Sequence, residues 1–218
     1  MLEAHSYLLG ENAIVIALNT DKPSPSEQRR LFALTISLQH SSAFIDIVPA
    51  KASVTAYLAE PTQYNYWLKK AMLLWEESEE VAFDVKTHHI EAIYGGKDGP
   101  DLEDVALRLN MSAKQVVHMH SEYTYQVEFL GFLPGFAYLG SLPEHLQLPR
   151  KVTPRKQVPK GSVAIAEDLS AIYPSSSPGG WHLLARCNNT LFDPTLTPPS
   201  LFAPGDKVKF IPHKEGLC

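Results

Sequence analysis

The sequence has few cysteines, little net charge and no long apolar run. Of its 218 residues two are cysteines, Cys187 and Cys218, and the second is the last residue, where a structural disulfide is rarely held. A net charge of −5 gives no electrostatic basis for binding nucleic acid or a membrane surface. Neither a secretion signal nor a run of ~18 apolar residues is present. We therefore expect a cytoplasmic protein without a disulfide framework.

Several common active-site motifs are also absent. The chain contains no GxxxxGKS or GxxxxGKT, no GxGxxG and no GxSxG, which excludes a classical phosphate loop, a dinucleotide fold and an α/β-hydrolase elbow. The histidines closest in sequence, at 88–89 and 118–120, lack the i, i+4 spacing that directs two ligands to zinc, so we predict no metal site. The loop GGKDGPD at 95–101 offers N–H groups to an anion. Its two aspartates would repel an anion, so we interpret the loop as a structural turn.

Residues 1–82 are predicted to form an α+β domain. The pattern is strand, strand, helix, strand, strand, helix, with strands at 5–9, 13–18, 44–48 and 53–58. The first helix begins with a capping box of Ser24 and Glu27, and the second begins at Pro61. We expect both helices to cover one face of an antiparallel sheet. The acidic run 76–80 indicates a solvated helix end and a linker.

Residues 83–218 are predicted to form a mostly-β domain. A strand over 87–94 precedes a short helix, and Ser112 with Gln115 forms a capping box for another. From Tyr123 onward, short strands alternate with Gly and Pro corners, which is typical of a barrel or curled sheet.

The segment from Gly131 to Trp181 contains the candidate site. Aromatic rings alternate there with glycines and prolines, a composition that favours a cleft built from loops. Arg150 and Arg155 each follow a proline, and either could hold a carboxylate or phosphate, or form a salt bridge at the barrel rim. Walls are expected from Tyr138, Tyr173, Gly179, Gly180 and Trp181.

Long motifs in a fixed order connect this chain with a known family. They are YGGKDGPDLEDVA from 94, FLPGF from 132, YLGSLPE from 138, PR at 149 and 154, VPKGSVAIA from 158, IYP from 172, SPGGW from 177, LFDP from 191 and GDKVKF from 205. In this order they resemble the B subunit of bacterial 5-oxoprolinase. That family also includes a sporulation-kinase inhibitor and the subunit 1 half of proteins named allophanate hydrolase.

The resemblance implies a fold and an activity. It implies a cyclophilin-like barrel over 83–218, in a subunit of an ATP-dependent hydrolase that opens 5-oxo-L-proline to L-glutamate. The subunit would be inactive alone and would work with subunits A and C. ATP and Mg²⁺ would bind at a site that this chain or a partner provides. His120 coincides with a His-Ser position of the family, which implies proton transfer, although a neutral imidazole equally suits capping or packing.

The sequence leaves two alternative functions open, and at one stretch it differs from the family. The chain could instead be a regulatory protein that binds and inhibits a sensor histidine kinase through its barrel face, with a free-standing prolyl isomerase as a more distant option. Relatives read IAGxQTGIYP where this chain has Glu167, Leu169, Ser170 and Ala171. Two glycines of the expected cleft thus carry side chains here, which leaves the exact substrate open.

Overall fold

A computed structural model describes residues 4–78 and 85–213. The chain divides into two compact units, Met1–Asp84 and Val85–Cys218. The junction predicted after residue 82 lies outside the described residues, as do Glu79 and Glu80 of the acidic run and the terminal Cys218. Among the described residues, no helix has the length and apolar character needed to cross a membrane.

The first unit contains a four-stranded antiparallel sheet in the order β1-β2-β4-β3. Its elements follow the predicted order, although Pro61 begins a 3-10 turn (Pro61–Gln63) that leads into the second helix. They are β1 (Ala4–Leu9), β2 (Ala13–Leu18), α1 (Pro25–Gln39), β3 (Phe44–Ala50), β4 (Ser53–Leu58) and α2 (Tyr64–Glu77).

Local signals explain how this unit assembles. The predicted capping box is present: the Ser24 Oγ accepts from the Glu27 N–H, and the Glu27 carboxylate accepts from the Ser24 N–H. Helix α1 contacts β3 and β4, while α2 contacts β1 and β2. The core between the helices and the sheet is apolar, with contributions from Ile14, Ile16, Leu31, Leu34, Leu38, Trp67 and Trp75.

The second unit is a closed seven-stranded barrel in the order β10-β7-β6-β13-β5-β12-β9, which confirms the predicted barrel. Strands β5 and β13 pair in parallel, and the other pairs are antiparallel. A separate two-stranded sheet joins β8 to β11. The elements are β5 (Thr87–Tyr94), α3 (Leu102–Arg108), α4 (Ala113–Glu122), β6 (Thr124–Leu130), β7 (Ala137–Gly140), β8 (Arg155–Val158), β9 (Ser162–Ala166), β10 (Leu169–Ile172), β11 (Ser177–Gly179), β12 (His182–Arg186) and β13 (Lys207–Pro212).

The barrel closes tightly against the loop before α3. A Cβ added at Gly99 would collide with the backbone carbonyl of Leu184 in β12, so only glycine fits there. We expect Gly99→Ala to lower the free energy of unfolding by about 3 kcal/mol, because backbone on both sides must move. Urea unfolding of the purified variants measures the change. Gly131→Ala is the matched control, since its Cβ would lie 3.7 Å from the nearest atom, an ordinary contact. Equal losses in the two variants would contradict the steric argument.

Candidate functional site

The predicted segment encloses a cleft of about 260 Å³ in the barrel unit. Among the residues assigned to the site from sequence, it is lined by Tyr138, Arg150, Tyr173, Gly179, Gly180 and Trp181. Phe132, Phe136, Pro154 and Pro178 complete the lining. Phe132 and Phe136 belong to the ring-bearing residues that the sequence predicts as lining, whereas Pro154 and Pro178 are not predicted individually. Arg155 and His120 are not part of the lining.

Packed aromatic rings hold the walls of the cleft in place. Phe136 packs edge-on against Tyr138, Tyr173 and Trp181, with ring centroids 4.9, 5.2 and 6.0 Å apart. Phe129 of β6 stacks on Tyr138, with centroids 4.2 Å apart. Because each ring contacts another, none rotates without displacing its neighbour, and the cleft presents fixed apolar surfaces.

A tight turn places Phe132 at the cleft. The Gly131 N–H donates to the Phe136 carbonyl at 3.1 Å, and the Phe136 N–H donates to the Leu133 carbonyl at 2.9 Å. Phe132 has a φ of 68° and is 60% exposed. A bulky residue in the left-handed region is unusual, and it indicates that the turn is determined by its surroundings. The exposed ring leaves this part of the lining open to solvent.

Gly179 allows strand β11 to lie directly against Tyr173. A Cβ at this position would collide with the Tyr173 hydroxyl. Burial raises the pKa of Tyr173 to about 12, although Arg150 and Arg155 act in the opposite direction. Burial also raises the pKa of Tyr138. Both phenols therefore stay protonated at neutral pH and can donate hydrogen bonds into the cleft.

Arg150 supplies the cation that lines the cleft. Its side chain is exposed, and no carboxylate of residues 4–78 or 85–213 forms an ion pair with its guanidinium. Its backbone N–H donates to the Glu167 Oε1 at 3.3 Å. Glu167 has a φ of 52°, a conformation natural to the glycine of its relatives. The Glu167 carboxylate thus binds the backbone of Arg150 and leaves the guanidinium available to a ligand.

Arg155 takes the other role that the sequence left open, a salt bridge. Its Nη2 lies 2.6 Å from the Asp101 Oδ1, and its side chain is 27% exposed. Asp101 also accepts from the Lys151 Nζ at 2.9 Å. Arg155 starts β8 beside the cleft, but the structure engages its guanidinium with protein and does not direct it into the lining.

His120 lies in the barrel core. It is fully buried, with its Nδ1 2.7 Å from the Tyr94 hydroxyl and its Nε2 3.0 Å from the Ser170 Oγ. Ser170 pairs with Leu139 of β7, whereas the next residue, Ala171, pairs with Tyr138. Since paired residues share a face and successive residues alternate, the His120–Ser170 contact and Tyr138 lie on opposite faces of the sheet. This placement supports the packing alternative, because a proton from His120 would have to cross the sheet to reach the cleft.

The buried imidazole gives the protein a specific pH dependence. Burial lowers the pKa of His120 from 6.5 to about 3, so the folded state keeps it neutral while the unfolded state binds a proton below pH 6.5. The stabilisation is complete above that pH and declines by about 1.4 kcal/mol per pH unit as the solution is acidified towards pH 3. Urea unfolding at neutral pH and at about pH 5 should show this loss in the wild type and a smaller one in His120→Gln. If the unfolding free energy falls equally in the wild type and in His120→Gln, the buried His120 is not the cause of the pH dependence.

The loop at 95–101 does not form a phosphate cradle. Four of its N–H groups donate to protein carbonyls: Gly95 to Leu184, Asp98 and Gly99 to Gly95, and Asp101 to Leu183. In the described part of the chain, no group of three His, Cys, Asp or Glu side chains could hold a metal ion. These contacts hold the loop as a turn, and the four engaged N–H groups do not fit the phosphates of ATP.

A second groove, of about 440 Å³, lies on the outside of the barrel along β5 and β12. Its lining is polar and includes Arg186, whose Nη1 lies 3.6 Å from the Asp98 Oδ1. None of the residues assigned to the site from sequence lines this groove.

Known proteins match the chain along its length. A model of the family described as carboxyltransferase domain, subdomain C and D, matches residues 5–202. The B subunit of 5-oxoprolinase from Escherichia coli O157:H7 is 41% identical over 219 residues, covering 100% of each chain. The protein of the same name from Haemophilus influenzae is 38% identical over 206 residues, covering 93% of this chain and 95% of its own.

A solved structure shares the fold. The protein TTHA0988 superposes with a TM-score of 0.80 at 32% identity and matches 93% of this chain. The present chain spans only 40% of the length of TTHA0988. Sequence and fold agree, and the resemblance seen in the motifs is confirmed. The chain belongs to the carboxyltransferase subdomain C and D family, together with the B subunits of 5-oxoprolinase.

Proposed function

We propose that this chain is a subunit of a 5-oxoprolinase that opens 5-oxo-L-proline to L-glutamate in the cytoplasm with ATP. One observation carries the proposal: a guanidinium without an ion-pair partner among the described residues, Arg150, stands beside a cleft of packed aromatic rings. 5-Oxoproline combines a small flat lactam ring with one carboxylate. The cleft offers a matching surface for each part.

Each wall has a distinct task in this proposal. The Arg150 guanidinium binds the substrate carboxylate as a planar fork. Phe136 and Trp181 supply apolar faces for the ring. The protonated hydroxyls of Tyr138 and Tyr173 donate towards the lactam oxygen, where negative charge develops as the ring opens. This chain therefore binds and orients the substrate.

We propose that partner subunits, A and C, complete the site. An unstrained lactam resists attack by water, which is why the proposed reaction depends on ATP. Four N–H groups of the 95–101 loop are bonded to protein carbonyls, which supports a nucleotide and Mg²⁺ site on a partner. The exposure of Phe132 supports a cleft that a partner covers. In TTHA0988 the matching unit is part of a longer chain, consistent with a partner held close to it.

The kinase-inhibitor alternative is not favoured. The relatives from E. coli O157:H7 and H. influenzae are named as enzyme subunits, and they match nearly the whole chain. The lining of the cleft also includes a cation, Arg150, which a protein-docking face does not require.

A reconstitution in which one component is left out tests the proposal. Subunits A and C are mixed with ATP, Mg²⁺ and 5-oxoproline, with or without this chain, and glutamate formation is followed. We expect glutamate only when the chain is present. Equal glutamate formation without it, or none from the full set, would refute the proposed function.

A further inference from the structure

Asp101 stands at the N-cap of α3 but does not cap that helix. The residue is 4% exposed, and its carboxylate turns away from the first turn of its own helix. It accepts from the Leu183 N–H at 2.7 Å, the Lys151 Nζ at 2.9 Å and the Arg155 Nη2 at 2.6 Å. A single buried anion thus holds two cations and a backbone amide, each at least 50 residues away from Asp101 in sequence.

Each of these donors belongs to a segment that lines the cleft. Lys151 follows Arg150, and its own N–H donates to the Gly180 carbonyl at 2.8 Å. Arg155 follows Pro154 and pairs with Gly179 across the β8–β11 sheet. Leu183 lies in β12, two residues after Trp181. Asp101 therefore connects two parts of the cleft wall that are separate in sequence, the loop 149–155 and strand β12.

A neighbouring contact reinforces the same loop. The His182 Nε2 lies 2.9 Å from the Pro149 carbonyl oxygen, and His182 is 1% exposed. The loop 149–155 is thus attached to protein through Pro149, Lys151 and Arg155, while the Arg150 guanidinium between these attachments has no ion-pair partner among the described residues. Fixing the backbone on both sides of one cation limits the directions in which it can point.

The electrostatics favour a charged Asp101. Burial alone would raise the pKa of its carboxyl, but hydrogen bonds from Arg155, the Leu183 N–H and Lys151 outweigh burial and keep the pKa below its ordinary value. Bonds between charged partners in a site with little water are stronger than neutral ones. Asparagine has the same shape, but it would hold neither cation as firmly.

We propose that Asp101 is a positioning residue of the cleft, which orients Arg150 for the substrate carboxylate by clamping Lys151, Arg155 and Leu183. Asp101 does not touch the substrate. The inference rests on the proposed function for the identity of the ligand, while the clamp itself is a property of the isolated chain.

Asp101→Asn tests the clamp by two independent readouts. In the isolated full chain, tryptic cleavage after Arg150 and Lys151 is expected to be about tenfold faster, because the loop opens more often. In the reconstituted assembly, the KM for 5-oxoproline is expected to rise roughly 10- to 100-fold with kcat nearly unchanged, since misplacing a binding group weakens ground state and transition state together. Asp98→Asn is the matched control. It removes the same charge from the same loop, where Asp98 faces Arg186, and both readouts should stay at the wild-type values.

The outcomes separate the clamp from the proposed function. Unchanged cleavage in Asp101→Asn, or faster cleavage with an unchanged KM in an active assembly, would overturn the positioning role. A wild-type assembly that does not consume 5-oxoproline would refute the proposed function, and the cleavage rates would still decide whether Asp101 holds the loop. If Asp101→Asn does not fold, Lys151→Met removes one donor from the partly exposed side. Because it also deletes one tryptic site, cleavage is followed after Arg150 alone, and this cleavage rate and the KM should both rise to a smaller extent than in Asp101→Asn. The absence of these increases in that variant would also overturn the proposal.

Discussion

Replacing Arg150 with alanine is expected to raise the KM of the assembled enzyme for 5-oxoproline about 100-fold, the usual cost of losing a charge-assisted hydrogen bond to a ligand carboxylate. The guanidinium lines the cleft, and no carboxylate of the described residues neutralises it. Because the side chain is exposed and makes no ion pair there, the unfolding free energy should change little. Steady-state kinetics and urea unfolding of the same preparations measure the two effects separately.

Two control variants make the Arg150 result specific. Arg150→Lys keeps the charge but loses the planar fork, and we expect about a tenfold rise in KM. Arg186→Ala removes another arginine of the barrel unit, one that lines the second groove, and KM should stay at the wild-type value. An unchanged KM in Arg150→Ala, or equal effects in Arg150→Ala and Arg186→Ala, would exclude Arg150 as the carboxylate-binding group.

The isolated chain is expected to consume neither 5-oxoproline nor ATP. Opening the lactam needs activation, and the glycine-rich loop at 95–101 has four of its N–H groups bonded to protein carbonyls. We expect the rate of phosphate release to rise at least ~1,000-fold when subunits A and C are added, because transition-state stabilisation of the phosphoryl group comes from the partner.

Phosphate release from ATP decides this prediction, with 5-oxoproline present or omitted and with each subunit tested alone. The isolated chain should match a buffer blank. If the isolated chain releases phosphate in a 5-oxoproline-dependent reaction, the chain contains a complete active site. The proposal that partner subunits complete the site would then be wrong.

Much of the fold could be predicted because its signals are local. Each capping box, at Ser24 and at Ser112, depends on two residues three positions apart, and both form as expected. The barrel followed from short strands between glycine and proline corners. The aromatic cleft followed from the same segment, since the rings that line it come largely from one stretch of sequence.

The roles of single residues depended on distant partners. Arg150 and Arg155 have the same local context, each after a proline, yet only Arg155 meets Asp101, which lies 54 residues earlier. The sequence predicts that the loop at 95–101 is a turn, but nothing local shows that its last residue clamps the cleft. His120 is separated from the cleft by a sheet whose pairing sets the faces, and that pairing joins residues about 30 positions apart. Long-range contacts of this kind leave no periodic trace in a sequence.

The most direct test of the account is a crystal structure of the assembled subunits with 5-oxoproline bound. We expect the ligand in the cleft of the barrel unit, with its carboxylate within hydrogen-bond distance of the Arg150 guanidinium, its ring beside Phe136 and Trp181, and a partner subunit covering Phe132. A ligand bound elsewhere, with the cleft filled by solvent, would contradict the central claim.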